Sequence, residues 1–426
     1  MNKILFVIVL LSFYNCKSSE SNKKASLVNS NHLDHLYEEI NSENDNLGII
    51  HIYSEYPDYH YVEAENEGVA CVDDIARALV FYVKDFEYNG NVESLRKSKQ
   101  LAKFILYMEA EDSTYYNFVF EDGQINKTFR TSVSGFQWWM WRALWSLGEA
   151  YPTIKSNDEG LANEILNSLN KGFSKTIKHF KPSDLTNFEN GITFPNWLPG
   201  ESGIDQTAAL IMSLSSYYKI NKSDDVLQLI NELSNSVLAV QLGSNANYPY
   251  GVFLSWRNVW HAWGSLQSYS LLKSYEINKD KKYLSAVLQE INGFYKYLNE
   301  NKYYNEIFFK NNNGLIEDVS KSKYPQIAYG IRPMIYACLE AYNITNDEKY
   351  AIQAGEIAQW LFGDNDLGKA LYNSETGICF DGISSSESLN MNSGAESTIE
   401  AQLALIEIEQ NQIAQKTLME FIKKTK

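Results

Sequence analysis

Cysteine is scarce in this chain. The four residues, Cys16, Cys71, Cys338 and Cys379, form no CxxC pair and no regular spacing, which excludes a disulfide scaffold and a zinc site of the usual kind. Histidine is equally thin, with six scattered residues and no HExxH. The glycine patterns of a phosphate loop, a dinucleotide fold and a hydrolase nucleophile elbow are missing. Positive charge is short as well: 37 Lys and Arg stand against 53 Asp and Glu, a formal net charge of -16. Nucleic acids and anionic membrane surfaces are held by clustered Lys and Arg, so neither is an expected partner. No metal and no cofactor is expected. Internal linkers rich in Pro, Gly or Ser are also missing, which leaves one domain for the body of the chain.

Long apolar runs are confined to the start. "MNKILFVIVLLSFYNC" carries a lysine, an apolar run too short to span a membrane, and then Cys16. The pattern resembles a bacterial lipoprotein signal, in which the cysteine becomes the lipidated first residue. Phe13, Tyr14 and Asn15 are bulkier than the small residues usual there, and plain secretion is the alternative. The expected organisation is a signal peptide over 1–15, Cys16 and a polar tether over 16–32, and a folded body over 33–426. The expected location is the bacterial cell envelope, on its periplasmic or outer face, with lipid as the only link to the membrane.

What the chain has in quantity is apolar helix. Six segments are rich in small and apolar residues and nearly free of charge past their first turn. They begin at Cys71 (CVDDIARALVFYV), Phe136 (FQWWMWRALWSLGEAY), Ile204 (IDQTAALIMSLSSYYKI), Val259 (VWHAWGSLQSYSLLKSY), Tyr329 (YGIRPMIYACLEAYNI) and Ala395 (AESTIEAQLALIEIE). Amphipathic stretches such as ESLRKSKQLAKFILYM lie between them. The alternation recurs six times at intervals of roughly 55 to 70 residues, longer than common solenoid repeats. Six such hairpins close naturally into a ring, an all-α (α/α)6 toroid with the apolar helices inside. Long Gly- and Asn-containing connections precede the inner helices, and function tends to sit on such loops.

Three of these segments open with Ser-Gly-x and an acid or amide: Ser134 to Gln137, Ser202 to Asp205, Ser393 to Glu396. The spacing is that of a capping box, with the serine as N-cap and the third helical residue reaching back. Asn258 would be an equivalent cap, with His261 third. Asp73 and Asp74 fall in the first turn of the first helix, and Tyr329 and Arg332 in that of the fifth. In a toroid these first turns converge on one mouth. Each residue has a plainer reading: Asp205 and Glu396 as caps, Asp73 and Arg77 as an i,i+4 ion pair, His261 as a bonded core histidine, most tryptophans as core. The pair Asp73-Asp74 is harder to set aside, because adjacent carboxylates in an apolar helix start are costly unless partnered or protonated.

With its six hairpins the chain resembles the six-hairpin glycosidase superfamily over about residues 65 to 425, and "CVDDIARAL" and "NSGAESTIEAQLAL" look like two motif blocks of such a protein. The resemblance implies glycan chemistry, typically hydrolysis by two carboxylates flanking a glycosidic bond; lyases and epimerases share the fold. The expectation is a glycoside hydrolase acting on an oligo- or polysaccharide, with Asp74 and Glu396 as the pair and Asp73 and Asp205 as close substitutes. Arg77, Gln137, His261, Tyr329, Arg332 and Asp381 would bind substrate, with Trp138 and Trp260 stacking on sugar rings. Two rivals stay open. In a uronate lyase His261 or Tyr329 would take the C5 proton and Arg332 would neutralise the carboxylate. In a silent glycan-binding lipoprotein, affinity would be indifferent to Asp74→Asn.

Overall fold

The computed structural model describes residues 26–41 and 46–425. The expected signal peptide and Cys16 lie outside the described residues. Six helical hairpins make up the body. The buried helices are Val72–Asn89, Trp138–Asn157, Ile204–Ile220, Gln267–Asn278, Ala328–Thr345 and Ala395–Gln410. Each is followed at once by a half-exposed partner: Val92–Tyr107, Glu159–His179, Asp224–Leu238, Lys281–Glu290 (continued by Lys296–Glu300), Glu348–Ala358 and Gln412–Thr425. Every buried helix packs on the next, and Ala395–Gln410 packs back on Val72–Asn89, so the order closes on itself. One continuous apolar core runs between the two layers. No helix among the described residues is long and apolar enough to cross a membrane.

The turns inside the hairpins are short because polar residues end one helix and start the next. Gly90 leaves the first helix at φ 69°, and Asn91 accepts the amide of Glu93. Asp158, Asp280, Asp347 and Asn411 cap their helices in the same way, accepting the amides of Leu161, Lys282, Lys349 and Ala414. All the long connections are thereby left at the opposite end, where the buried helices begin.

Those connections correct several expectations. They are not merely loops but carry short antiparallel hairpins, among them Thr186–Glu189 with Ile192–Pro195 and Gly382–Ser385 with Ser388–Asn390. Val259–His261 is a strand paired with Glu306–Phe308, and the fourth buried helix starts only at Gln267. The run VWHAW suits a strand buried on both faces as well as a helix, and pairing with a neighbouring strand decides. Asn258 is therefore no N-cap; its side-chain amide donates to the Phe309 carbonyl.

The capping boxes also fail. The N-caps are Gln137, Gly203 and Gly394, and none makes a side-chain cap bond. The serines stand one to three residues too early, and other groups take the helix-start bonds. The Ser255 carbonyl accepts the amides of Ile204 and Asp205, and Asp381 Oδ1 accepts the amide of Gly394 at 2.8 Å. Finally, residues 26–32, expected as the end of a tether, pack on the body: Leu27 and His32 are buried.

Candidate functional site

The starts of the buried helices meet at the loop end, and a network of charges joins them. Arg77, one turn into the first helix, is its centre. Its Nη2 donates to Asp73 at 2.8 Å and to Asp74 at 2.6 Å, both on its own helix. Across the mouth its Nη1 reaches Glu396 at 3.3 Å and Glu400 at 3.0 Å, on the sixth helix. Arg142, from the second helix, approaches Asp73 at 3.5 Å and donates to the hydroxyl of Tyr329. The Arg77 guanidinium lies 4.7 Å over the Tyr329 ring. A lone charge in an apolar helix must find a partner. That signal, present in "WWMWRALW" and "STIEAQLAL", marks Arg142 and Glu400, which the spacing arguments passed over.

Burial sorts these acids. Glu400 is wholly enclosed; burial opposes its ionisation, but Arg332 and Arg77 outweigh it and hold its pKa below the ordinary value. Asp74 is raised by burial, against the pull of Arg77, and its second oxygen accepts from the Cys71 thiol at 3.2 Å. Glu396 is different. Its depth in the mouth pushes its pKa up to about 7, with Arg77 pulling the other way. Yet 42 % of the side chain is open to solvent, which screens part of that shift. It is an accessible acid whose pKa is held above the ordinary carboxylate range. Its oxygens make no cap bond; Asp381 fills that place, accepting from Gly394 and from Ser397 Oγ at 2.7 Å.

The opposite wall is built on Asp205 and His261. Asp205 accepts the amide of Gln206 at 2.6 Å and faces His261 Nε2 at 3.0 Å. His261 Nδ1 lies 2.9 Å from the Trp263 carbonyl, and the indole of Trp263 stacks on the imidazole at 3.6 Å. Both ring nitrogens thus face oxygen atoms, the Asp205 carboxylate on one side and the Trp263 carbonyl on the other. Trp263 also lies 6.4 Å from Trp138, and Gly264, at φ 66°, lets the loop pass against Tyr329 and Trp138.

Most of the expected residues therefore share one mouth: Asp73, Asp74, Arg77, Trp138, Asp205, His261, Tyr329 and Glu396. Gln137 is exposed at the start of the second helix. Two assignments are corrected. Trp260 is 3 % exposed and packs edge-on against Phe294, because side chains alternate along its strand. Trp263 takes its place at the mouth. Arg332 is fully buried and spent on Glu400, so it meets no substrate. The lyase role of Arg332 falls with it; both nitrogens of His261 are bonded, and burial lifts the Tyr329 hydroxyl to about 12. A larger cleft, about 770 Å³, lies at the turn end of the second and third hairpins among Glu149, Tyr151 and Lys219, remote from this network.

No family model and no curated protein matches the chain. Solved structures do. A sugar epimerase from a ruminal bacterium is 13 % identical, with 89 % of this chain and 96 % of that one aligned at a TM-score of 0.62. Cellobiose 2-epimerase from Bacillus thermoamylovorans is 14 % identical over 89 % of this chain and 95 % of that one, at a TM-score of 0.63. A family 76 glycoside hydrolase from a bovine Bacteroides thetaiotaomicron strain is 14 % identical over 91 % of this chain and 76 % of that one, at 0.55. These neighbours are carbohydrate-active (α/α)6 toroid enzymes. At such identities the likeness is one of fold.

Proposed function

We propose that the closed circuit of helices is an (α/α)6 toroid and that its mouth is the active site of a glycoside hydrolase. The observation that carries this reading is Glu396: a solvent-reached carboxyl with its pKa raised to about 7, in a mouth that also holds the neighbouring indoles of Trp138 and Trp263. Flat indoles suit the apolar faces of pyranose rings. Glu396 gives its proton to the leaving glycosidic oxygen as the bond to the anomeric carbon breaks. The second carboxylate is Asp73 rather than Asp74. Asp73 keeps 23 % of its side chain exposed, against 6 % for Asp74. Asp73 and Glu396 lie 2.8 and 3.4 Å from the same nitrogen, Arg77 Nη2. Oxygens so placed are closer together than the roughly 6.5 Å an inverting pair needs, and the expected outcome is retention. Asp73 then attacks the anomeric carbon, and Glu396, now ionised, takes a proton from the water that releases the sugar.

A panel of oligosaccharides, read by new reducing ends and by the anomer first formed, tests this. Glu396→Gln should lower turnover by about 10²- to 10⁴-fold, and Asp73→Asn should abolish it. Undiminished turnover in either variant would remove that residue from the mechanism. Turnover of no substrate, with binding retained and indifferent to Asp74→Asn, would leave a glycan-binding protein.

Sugar epimerisation is a second reading, favoured by the crowding of Asp73, Asp74 and Glu396 on one guanidinium, which suits proton exchange more than attack from two sides. Deuterium incorporated from solvent into recovered sugar, without new reducing ends, would establish it. The envelope location, with a lipid on Cys16, belongs to the same proposal; mass spectrometry of the mature N-terminus checks it.

A further inference from the structure

Beside Glu396 the mouth extends into a cavity of about 320 Å³, room for a sugar ring. Its polar wall is Asp74, Asp381, Glu396, Ser384, Asn390 and Ser397; Ile52, Ile327 and Ile383 give an apolar side, and no Lys or Arg stands among the lining residues. Arg77 lies behind two of these acids and is already shared among four carboxylates. Asp381 is fixed through one oxygen, which accepts from Gly394 and Ser397, so its position does not depend on a ligand. We propose that this cavity selects an uncharged pyranose and rejects a uronic acid, by like-charge repulsion from the Asp74 and Asp381 carboxylates. The inference rests on the mouth being a glycan site, but not on which reaction occurs there.

The chemistry is direct. Hydroxyl groups can both donate to and accept from carboxyls, whether ionised or protonated, and Ser384, Asn390 and Ser397 add neutral partners. A uronate brings a further negative charge with only acceptor oxygens and finds no cation that is not already paired. The net charge of -16 acts in the same direction at longer range, opposing the approach of anionic glycans.

The test is binding to the Glu396→Gln protein, so that turnover does not intervene. Neutral and uronic oligosaccharides of the same linkage and length are titrated while tryptophan fluorescence is followed. The neutral series should bind at least about tenfold tighter at low salt, and the gap should narrow as salt rises. Asp381→Asn retains an acceptor for Gly394 and Ser397 and should narrow the gap about fivefold by strengthening uronate binding. Equal or tighter binding of the uronic series, or a gap unmoved by Asp381→Asn and by salt, would overturn the proposal. Undiminished turnover in Glu396→Gln would refute the catalytic assignment and leave this selectivity standing.

Discussion

Four carboxylates lean on the guanidinium of Arg77, and that ratio explains the character of the site. One cation cannot neutralise Asp73, Asp74, Glu396 and Glu400 together, even with Arg142 and Arg332 beside it. The proton that remains sits most readily on Glu396, which Arg77 touches at the longest distance. Catalysis as an acid requires the protonated form, so activity should fall as pH rises through about 7. Glu396→Gln should lower kcat by about 10²- to 10⁴-fold and abolish that limb, as a pH–rate profile would record. Arg77→Met has two expected effects. It strips buried Asp74 and Glu400 of a counter-charge, at a cost of about 3–5 kcal/mol in urea unfolding. It also removes the pull that holds the Glu396 pKa down, so any residual activity should show its limb at higher pH.

At the scale of elements, the loop-side starts of the buried helices are held by other loops rather than by their own caps. This is where reading the sequence succeeded and failed together. The six apolar helices, with Asp73, Asp74 and Glu396 in their first turns and Arg77 one turn on, follow from composition and 3.6-residue spacing. The partners of the starts do not, because Asn117, Ser255 and Asp381 reach them from distant loops. Nor can local pattern separate Trp260 from Trp263, since one residue of register decides which faces the core. Glu290 shows how a single acid ties elements together. It ends the helix Lys281–Glu290, accepts the Phe253 amide at 2.8 Å and accepts from Ser268 at 2.6 Å in the fourth buried helix. Burial raises its pKa to about 7. The folded protein therefore holds this proton where the unfolded chain has lost it, and stability falls as pH rises from about 4.5 to 7. Glutamine does not titrate. The stability of Glu290→Gln relative to the wild type should thus improve by about 2–3 kcal/mol between pH 5 and pH 8, measured by urea unfolding at each pH.

At the scale of the molecule, a ring of hairpins has one seam that chain continuity does not cover, where the sixth hairpin meets the first. The segment before the first hairpin stitches it. Ser26 and Val28 donate to Glu409 on the sixth buried helix at 2.7 and 3.2 Å, and Leu27 bonds the same carboxylate. Asn29 meets Gln402 on that helix. A few residues on, Asp34 accepts from Tyr82 on the first buried helix at 2.7 Å and from Lys97 on its partner at 2.6 Å. Leu27, Leu33 and Leu36 are buried between these attachments. A chain that begins at Tyr37 should be less stable than one that begins at Ser26 by at least about 5 kcal/mol, from the three leucines alone. The loss should also have an address. Hydrogen exchange should rise most in Val72–Asn89 and Ala395–Gln410, the helices on either side of the seam, and least in Ile204–Ile220 and Gln267–Asn278 across the ring. A uniform rise around all six hairpins would mean that the segment adds core area without closing the ring.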